Sequence, residues 1–306
     1  ERPHALARHR PLPRGSRAKG KDLWKPPGYD GVIRTSTDGR VRVVTIDRPE
    51  RRNALRPDDL DALRRAVDRA ETPVTYLRGA GDAFCAGADL DVVAGLDRVG
   101  DVGLDRDGDI GAGGASDGSL DTDDAVDAAD AVDAIDADDV ADAASFARRG
   151  QRTAAAIAEA DTVVVCGIDG AARGGGVELA LAADVRVATP AATFAEPGVE
   201  FGLFGAWGGT VRLPRVMREG DALEFALSGR VLDADEALRT GLVSRIVDDP
   251  RAVADAIADG KPDALRTVKR RVRDRRDDAT QADAEAEAFA ALVRAHGTEI
   301  AASRTE

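Results

Sequence analysis

Residues 162–188 read TVVVCGIDGAARGGGVELALAADVRVA, which places two strands around a glycine turn and a helix. The continuous apolar run over residues 162–168 predicts a strand that is buried on both faces. Three glycines, residues 174–176, then open a helix that is predicted over residues 177–183, and a short strand follows at Val185–Ala188. Strands that alternate with helices in this way predict an α/β domain.

The sequence before this stretch repeats the same alternation. A strand is predicted at Val41–Ile46 after a turn at residues 38–39. A helix is predicted from Pro57 to about Ala70, and a strand over residues 73–77. A glycine-rich loop at residues 79–81 leads into the segment FCAGAD at residues 84–89.

Three further regions are predicted from changes in composition. Residues 1–30 are basic and proline-rich and are interpreted as a flexible extension, residues 31–250 as the core, and residues 251–306 as a helical C-terminal region. Residues 101–145 form an acidic insertion in the core, with an aspartate at every third position from Asp121 to Asp142. A period of three gives no apolar helix face, so a solvated spacer or loosely helical insertion is expected there.

The alternative for the insertion is a calcium loop at residues 105–109. It fails the EF-hand pattern, because Ile110 stands where glycine is needed and Ser116 where glutamate is needed.

Composition excludes several classes of protein. The net charge of −13 disfavours binding to nucleic acid, and this acidic chain with five lysines resembles proteins of salt-loving organisms. No run of about 18 apolar residues predicts a membrane span, and the N-terminal residues lack the apolar stretch of a signal peptide. Two cysteines make no disulfide framework, so a cytoplasmic location is expected.

Histidine is scarce: the chain contains only His4, His9 and His296. All three lie near the chain ends, so a Ser-His-Asp triad, a Cys-His pair and a histidine-rich zinc site are not expected, and neither is any other metal site. Acid/base chemistry would then fall to carboxylates.

The candidate site is built from two glycine loops that each follow a strand. One ends at residues 86–89 and the other is formed by residues 173–178. If the loops face each other, their backbone N–H groups can hold one carbonyl oxygen, as in an oxyanion hole. Glu178 lies three residues after Gly175, so its carboxylate would lie beside that oxygen and serve as a base.

Less specific interpretations exist for both features. Triple glycines often mark close helix–strand packing, and a glutamate in a first helical turn is often only a partner of the helix dipole. A dinucleotide-binding turn is disfavoured, because no GxGxxG opens a helix after the first strand.

Seven segments of the chain form a joint pattern: residues 46–55 (IDRPERRNAL), 84–90 (FCAGADL), 174–180 (GGGVELA), 194–203 (FAEPGVEFGL), 208–210 (GGT), 227–230 (LSGR) and 234–243 (ADEALRTGLV). In order and spacing, these motifs jointly resemble the crotonase (enoyl-CoA hydratase/isomerase) superfamily. The resemblance covers about residues 31–100 and 148–250.

The resemblance implies a spiral of ββα units with a C-terminal helical trimerisation region, and a homotrimer or dimer of trimers. It implies an acyl-CoA thioester as substrate, with coenzyme A as part of that substrate and no separate cofactor. The implied activity is hydration or isomerisation of an enoyl-CoA, as in fatty acid β-oxidation.

By position, the resemblance also assigns site residues. Glu178 would be the acid/base, and the amides of Ala88 and Gly175 would form the oxyanion hole. The implied substrate-binding residues are Arg52, Ala54, Ala86, Asp89, Leu90, Gly174, Pro197, Gly198 and Ala206.

One position departs from the family pattern. Hydratases of the family carry a second catalytic glutamate after the proline of the FxxP segment, where this chain has Gly198. Glu196 and Glu200 are the nearby replacements, and Glu200 is taken as the candidate. The departure keeps three alternatives open: a decarboxylase, a thioester hydrolase, or a non-catalytic acyl-CoA binder.

Overall fold

The computed structural model describes residues 29–96 and 143–302. The strands are β1 (Tyr29–Asp30), β2 (Ile33–Asp38), β3 (Val41–Ile46), β4 (Val74–Gly79), β5 (Ala83–Cys85), β6 (Val163–Ile168), β7 (Ala171–Arg173), β8 (Val185–Ala188), β9 (Thr193–Ala195) and β10 (Arg245–Ile246). The helices are α1 (Pro57–Asp68), α2 (Leu90–Leu96), α3 (Ala143–Glu159), α4 (Gly175–Ala182), α5 (Gly209–Val216), α6 (Glu219–Ser228), α7 (Ala234–Arg239), α8 (Pro250–Ala258), α9 (Pro262–Arg273) and α10 (Asp278–Ala302).

The larger of two sheets has the strand order β1-β2-β3-β4-β6-β8-β10. β1, β2 and β3 pair antiparallel, and every later pair is parallel. All six residues of β6 are buried, as its continuous apolar run predicts for a central parallel strand. The predicted α/β class is therefore confirmed.

The smaller sheet has the order β5-β7-β9, and all of its pairs are parallel. Each of its strands follows one strand of the larger sheet, so β4-β5, β6-β7 and β8-β9 are successive pairs. Each pair adds one strand to each sheet, and the first two pairs lead into helices α2 and α4. This is the predicted spiral of ββα units.

Helices α1 and α3 pack together beside the large sheet. The buried residues of α3 recur at helical spacing, at Phe146, Gly150, Thr153, Ala154 and Ile157. α3 begins at Ala143, so it includes the last residues of the predicted acidic insertion. The rest of that insertion, with the rejected calcium loop, and the predicted extension up to residue 28 lie outside the described residues.

The described residues from Pro250 onward form α8, α9 and α10. α8 packs on strands β4 and β6 of the large sheet, and α9 packs against α10. In the described ranges, no helix is both long and apolar enough to cross a membrane.

Candidate active site

The three strands of the smaller sheet end at one edge, at Cys85, Arg173 and Ala195. Parallel pairing places Arg173 opposite Ala195, so the residues that follow these strands emerge side by side. Ala86, Gly174 and Glu196, each the first residue after its strand, line one cavity of about 290 Å³. The rest of its wall is largely apolar and includes Leu90, Val93, Leu96, Phe146, Phe201, Leu203, Phe204 and Trp207. A mostly apolar cleft with a few convergent polar groups is typical of small-molecule sites.

The two predicted glycine loops touch each other at this edge. Gly87 has a φ of +82°, and a Cβ added to it would lie 2.7 Å from the backbone nitrogen of Gly175. Only a residue without a side chain allows this approach. The loops therefore face each other, as the candidate site requires.

Two amide N–H groups of these loops are not used by the backbone ladders around them. Gly87 accepts a hydrogen bond from the Leu55 N–H, and the Asp89 N–H donates to Leu55. This alternation leaves the Ala88 N–H outside the bridge. Gly175 is the first residue of α4, where an N–H has no acceptor within the helix. Both residues line the cavity.

Glu178 lies on α4 with its side chain at the cavity and only 1% exposed. Its Oε1 accepts hydrogen bonds from the backbone N–H groups of Trp207, at 2.9 Å, and Gly209, at 2.6 Å. Burial raises the pKa of Glu178, and the two amide hydrogen bonds offset only part of the rise. Such a carboxylate is held in place and ready to accept a proton.

Glycines surround this carboxylate. A Cβ on Gly205 would lie 2.8 Å from the Glu178 carboxyl carbon, and one on Gly209 would lie 2.8 Å from its Oε1. Both positions therefore stay bare so that the segment 205–209 can close over the carboxylate.

Trp207 holds that segment from the other side. Its indole is 3% exposed and packs against Gly150 of α3 and Gly175 of α4, where added Cβ atoms would overlap the ring. Phe146 meets the indole edge-on, with the ring centroids 5.8 Å apart. The indole thus joins α3, the Gly175 loop and the segment that binds Glu178.

Most of the residues assigned by position meet at this cavity. Its lining includes Glu178, Ala88, Gly175, Ala86, Leu90, Gly174, Pro197, Gly198 and Ala206. Arg52 and Ala54 do not line it. Arg52 is exposed next to the cavity, where its carbonyl oxygen accepts a hydrogen bond from the Ala86 N–H. Ala54 is buried, and its carbonyl oxygen accepts one from Arg48.

Asp89 is also absent from the lining. Its carboxylate is buried and pairs with Arg48 at 2.8 Å, with Arg51 at 3.3 Å and with Arg56 at 3.6 Å. Burial raises the pKa of Asp89, but hydrogen bonds, first from Arg48, outweigh it and hold the pKa below its ordinary value. The Asp89 side chain therefore anchors the Ala88 loop to these arginines on the side away from the cavity.

The cavity receives no carboxylate from position 198 or from Glu200. A Cβ on Gly198 would lie 3.0 Å from both the Leu203 oxygen and the Phe204 Cα, so the backbone approaches too closely for a side chain. Glu200 is exposed and lies beside Gly229, away from the lining residues. Glu196, the other nearby glutamate, is 6% exposed and lines the cavity.

Sequence reasoning missed the amides that hold Glu178. The motif GGT at residues 208–210 entered the resemblance, but nothing in it shows that Gly209 donates to a carboxylate 31 residues earlier. Cys85 is buried, and burial raises its pKa to about 12, which keeps that thiol neutral.

Comparison with known proteins gives consistent results. A family model described as enoyl-CoA hydratase/isomerase matches residues 129–300. A Rhizobium meliloti protein named "Probable enoyl-CoA hydratase" is 32% identical over 67% of this chain and 64% of its own length. The crotonyl-CoA hydratase of Syntrophomonas wolfei is 29% identical over 68% of this chain and 65% of its own length.

These alignments span just under two thirds of the length of the curated relatives. Structural likeness extends further. The crystal structure of an enoyl-CoA hydratase from Thermoplasma volcanium superposes with a TM-score of 0.72 at 25% identity, covering 90% of this chain and 98% of the other.

Proposed function

Because the chain belongs to the enoyl-CoA hydratase/isomerase family, we propose that it hydrates or isomerises the carbon–carbon double bond of an enoyl-CoA thioester. One observation carries this proposal: the buried carboxylate of Glu178 faces an apolar cavity directly beside the contact between two glycine loops. This position suits a general base that acts on the carbons adjacent to a carbonyl group bound between the two loops.

The amides of Ala88 and Gly175 supply the electrostatic part of the proposed chemistry. A thioester oxygen between the N–H groups of Ala88 and Gly175 would receive two hydrogen bonds. These bonds strengthen as negative charge moves onto that oxygen in an enolate, and one such donor is worth roughly 3–4 kcal/mol in comparable sites.

The apolar wall of the cavity is proposed to bind the acyl group. With the thioester oxygen at the loops, the acyl chain would extend along Leu90, Phe146 and Trp207. Arg52 and Ala86 lie at the neighbouring loop and are proposed to contact the coenzyme A portion. Coenzyme A is then part of the substrate, and the proposed reaction requires no further cofactor.

We propose a homotrimer, or a dimer of trimers, from the exposed apolar side chains of the C-terminal helices. Val268, Val272, Phe289 and Val293 are between 42% and 74% exposed. Val268 and Val272 lie one turn apart on α9, and Phe289 and Val293 lie one turn apart on α10. Exposed apolar side chains that repeat at this spacing are typical of helices that pack against a partner. Light scattering coupled to gel filtration measures the number of subunits, and a monomer at every concentration would exclude the assembly.

The proposed activity is tested with a substrate panel of 2-enoyl-, 3-enoyl-, malonyl- and 3-hydroxyacyl-CoA thioesters. We expect turnover of an enoyl-CoA by the wild type, and a fall in kcat of about 10²–10⁴-fold in Glu178→Gln, because the amide cannot accept the proton. Substrate binding should remain close to that of the wild type.

Glu219→Gln is the matched control, since Glu219 is exposed on α6. Turnover confined to malonyl-CoA would instead identify a decarboxylase, and release of free coenzyme A would identify a thioester hydrolase. Binding without any turnover would identify an acyl-CoA binder.

A further inference from the structure

A second carboxylate, Glu196, lies in the same cavity as Glu178 and has no role in the mechanism above. It is the residue after β9, and the Gly174 N–H donates to Ala195, the residue just before it. This pairing fixes Glu196 next to the glycine loop. The side chain caps no helix amide and is 6% exposed.

The surroundings of Glu196 differ from those of Glu178. Its Oε1 is buried and finds no hydrogen-bond partner within residues 29–96 and 143–302. A buried polar atom without a partner is costly in a structure that serves only stability, and such atoms recur at functional sites. The unsatisfied oxygen therefore marks a group that is positioned for a ligand.

Two buried carboxylates at one site do not both ionise easily, so the pair tends to keep one proton. Glu178 has two amide donors, and Arg212 on α5 favours its charged form as well. Glu196 has no comparable support: burial, and then the charge of Glu178, raise its pKa well above the ordinary value. The hydrogen-bond donors around Glu178, and their absence around the Oε1 of Glu196 within the described residues, favour Glu196 as the group that holds the shared proton.

We propose that Glu196 is the second catalytic residue, a general acid that takes the place of the carboxylate missing at Gly198. This inference rests on the proposed function and narrows it to hydration, which needs a base for water and an acid for carbon.

The proposed hydration uses both carboxylates. Glu178 takes a proton from water while the water oxygen bonds to C3 of the enoyl-CoA. The electron pair of the C2=C3 bond moves toward the thioester oxygen to form the enolate. C2 of the enolate then takes the proton of Glu196, which gives a 3-hydroxyacyl-CoA. One proton has passed to Glu178 and one has left Glu196, so transfer of a proton from Glu178 to Glu196 restores the starting state.

The test compares hydration of crotonyl-CoA by the wild type, Glu196→Gln, Glu196→Asp and Glu200→Gln, with Glu219→Gln as the control. In Glu196→Gln we expect kcat to fall about 10²–10⁴-fold with little change in KM, because the amide cannot supply the proton. The wild type and Glu196→Asp should lose activity as the pH rises through the pKa of this acid, and Glu196→Gln should lack that limb.

An infrared measurement reports on the same proton without turnover. A carboxylic acid C=O band is expected in the wild type at neutral pH and should be missing in Glu196→Gln. If that variant does not fold, the pH profile of Glu196→Asp, compared with that of the wild type, still decides the question.

Full hydration activity in folded Glu196→Gln, or a comparable loss confined to Glu200→Gln, would overturn the role of Glu196. An ionised Glu196 at neutral pH would overturn it as well. A wild type that turns over no member of the substrate panel would instead reject the proposed function, which is a distinguishable result.

Discussion

Asp89 and Glu178 are two buried acids that follow the two glycine loops, and the structure treats them in opposite ways. Asp89 comes directly after Ala88 and is surrounded by arginines, with Arg48 at 2.8 Å. Glu178 comes three residues after Gly175, next to an apolar cavity, and its donors among the described residues are backbone amides.

The difference separates a structural acid from a reactive one. Ion pairs hold the pKa of Asp89 low, so its charge is permanent near neutral pH and fixes the loop. Glu178 is buried with few hydrogen-bond donors, so its pKa is raised. A carboxylate with a raised pKa accepts a proton more readily, which suits a general base. Neighbouring charge therefore decides what each carboxylate can do.

The largest effect on stability is expected from Asp89→Asn. The change leaves the side chain of Arg48, which is only 8% exposed, without its buried counter-charge. Breaking a buried pair from one side costs roughly 3 kcal/mol. Urea unfolding should show this loss, whereas Asp91→Asn, two residues along at an exposed carboxylate, should change the free energy of unfolding by less than about 1 kcal/mol. A loss in Asp89→Asn no larger than that of its control would remove the contrast.

The pH dependence of stability should have opposite signs at the two acids. The raised pKa of Glu178 means that the folded protein binds a proton more tightly than the unfolded chain. Its contribution is present below the ordinary pKa of 4.5 and is lost as the pH rises. The lowered pKa of Asp89 gives a contribution that is present above the ordinary value of 3.8 and is lost toward acid.

The free energies of unfolding of Glu178→Gln and Asp89→Asn, measured from about pH 3 to about pH 8, test these two opposite pH dependences. Relative to the wild type, Glu178→Gln should gain stability as the pH rises, and Asp89→Asn should lose it. Parallel curves would show that the two environments do not differ electrostatically.

The smallest effect is expected from Arg51→Gln. The side chain of Arg51 is 44% exposed, so its pairs with Asp89 and Asp91 are screened by water and salt. We expect a loss of unfolding free energy smaller than that of Asp89→Asn in dilute buffer, and we expect it to disappear near 1 M salt. An undiminished loss at high salt would show that Arg51 belongs to the buried part of the Asp89 cluster.

The fold was largely predictable where neighbouring residues determine the structure. β3 and β8 have the predicted bounds, and the predicted starts of α1 and β6 lie within one residue of the observed ones. β5, β7 and β9 were not predicted, because strands of three residues leave no periodic pattern. Their existence depends on pairing with each other across long stretches of chain.

The same limit applies to the site. Glu178 and the two glycine loops could be predicted because each lies within one local motif. The environment of Glu196 could not be predicted, because it depends on where residues 196–205 fold back onto α4. Between Glu196 and Glu200 the sequence favoured the latter. A short 3-10 helix, Pro197–Phe201, follows Glu196 and turns Glu200 toward Gly229 and away from the cavity.

The indole of Trp207 extends the sensitive region beyond the cavity wall. Gly150 lies outside the lining, yet any side chain there would push the ring, and with it the amide that holds the reactive carboxylate. Substitutions at Gly150 on α3 are therefore expected to reduce activity, although this residue does not line the cavity.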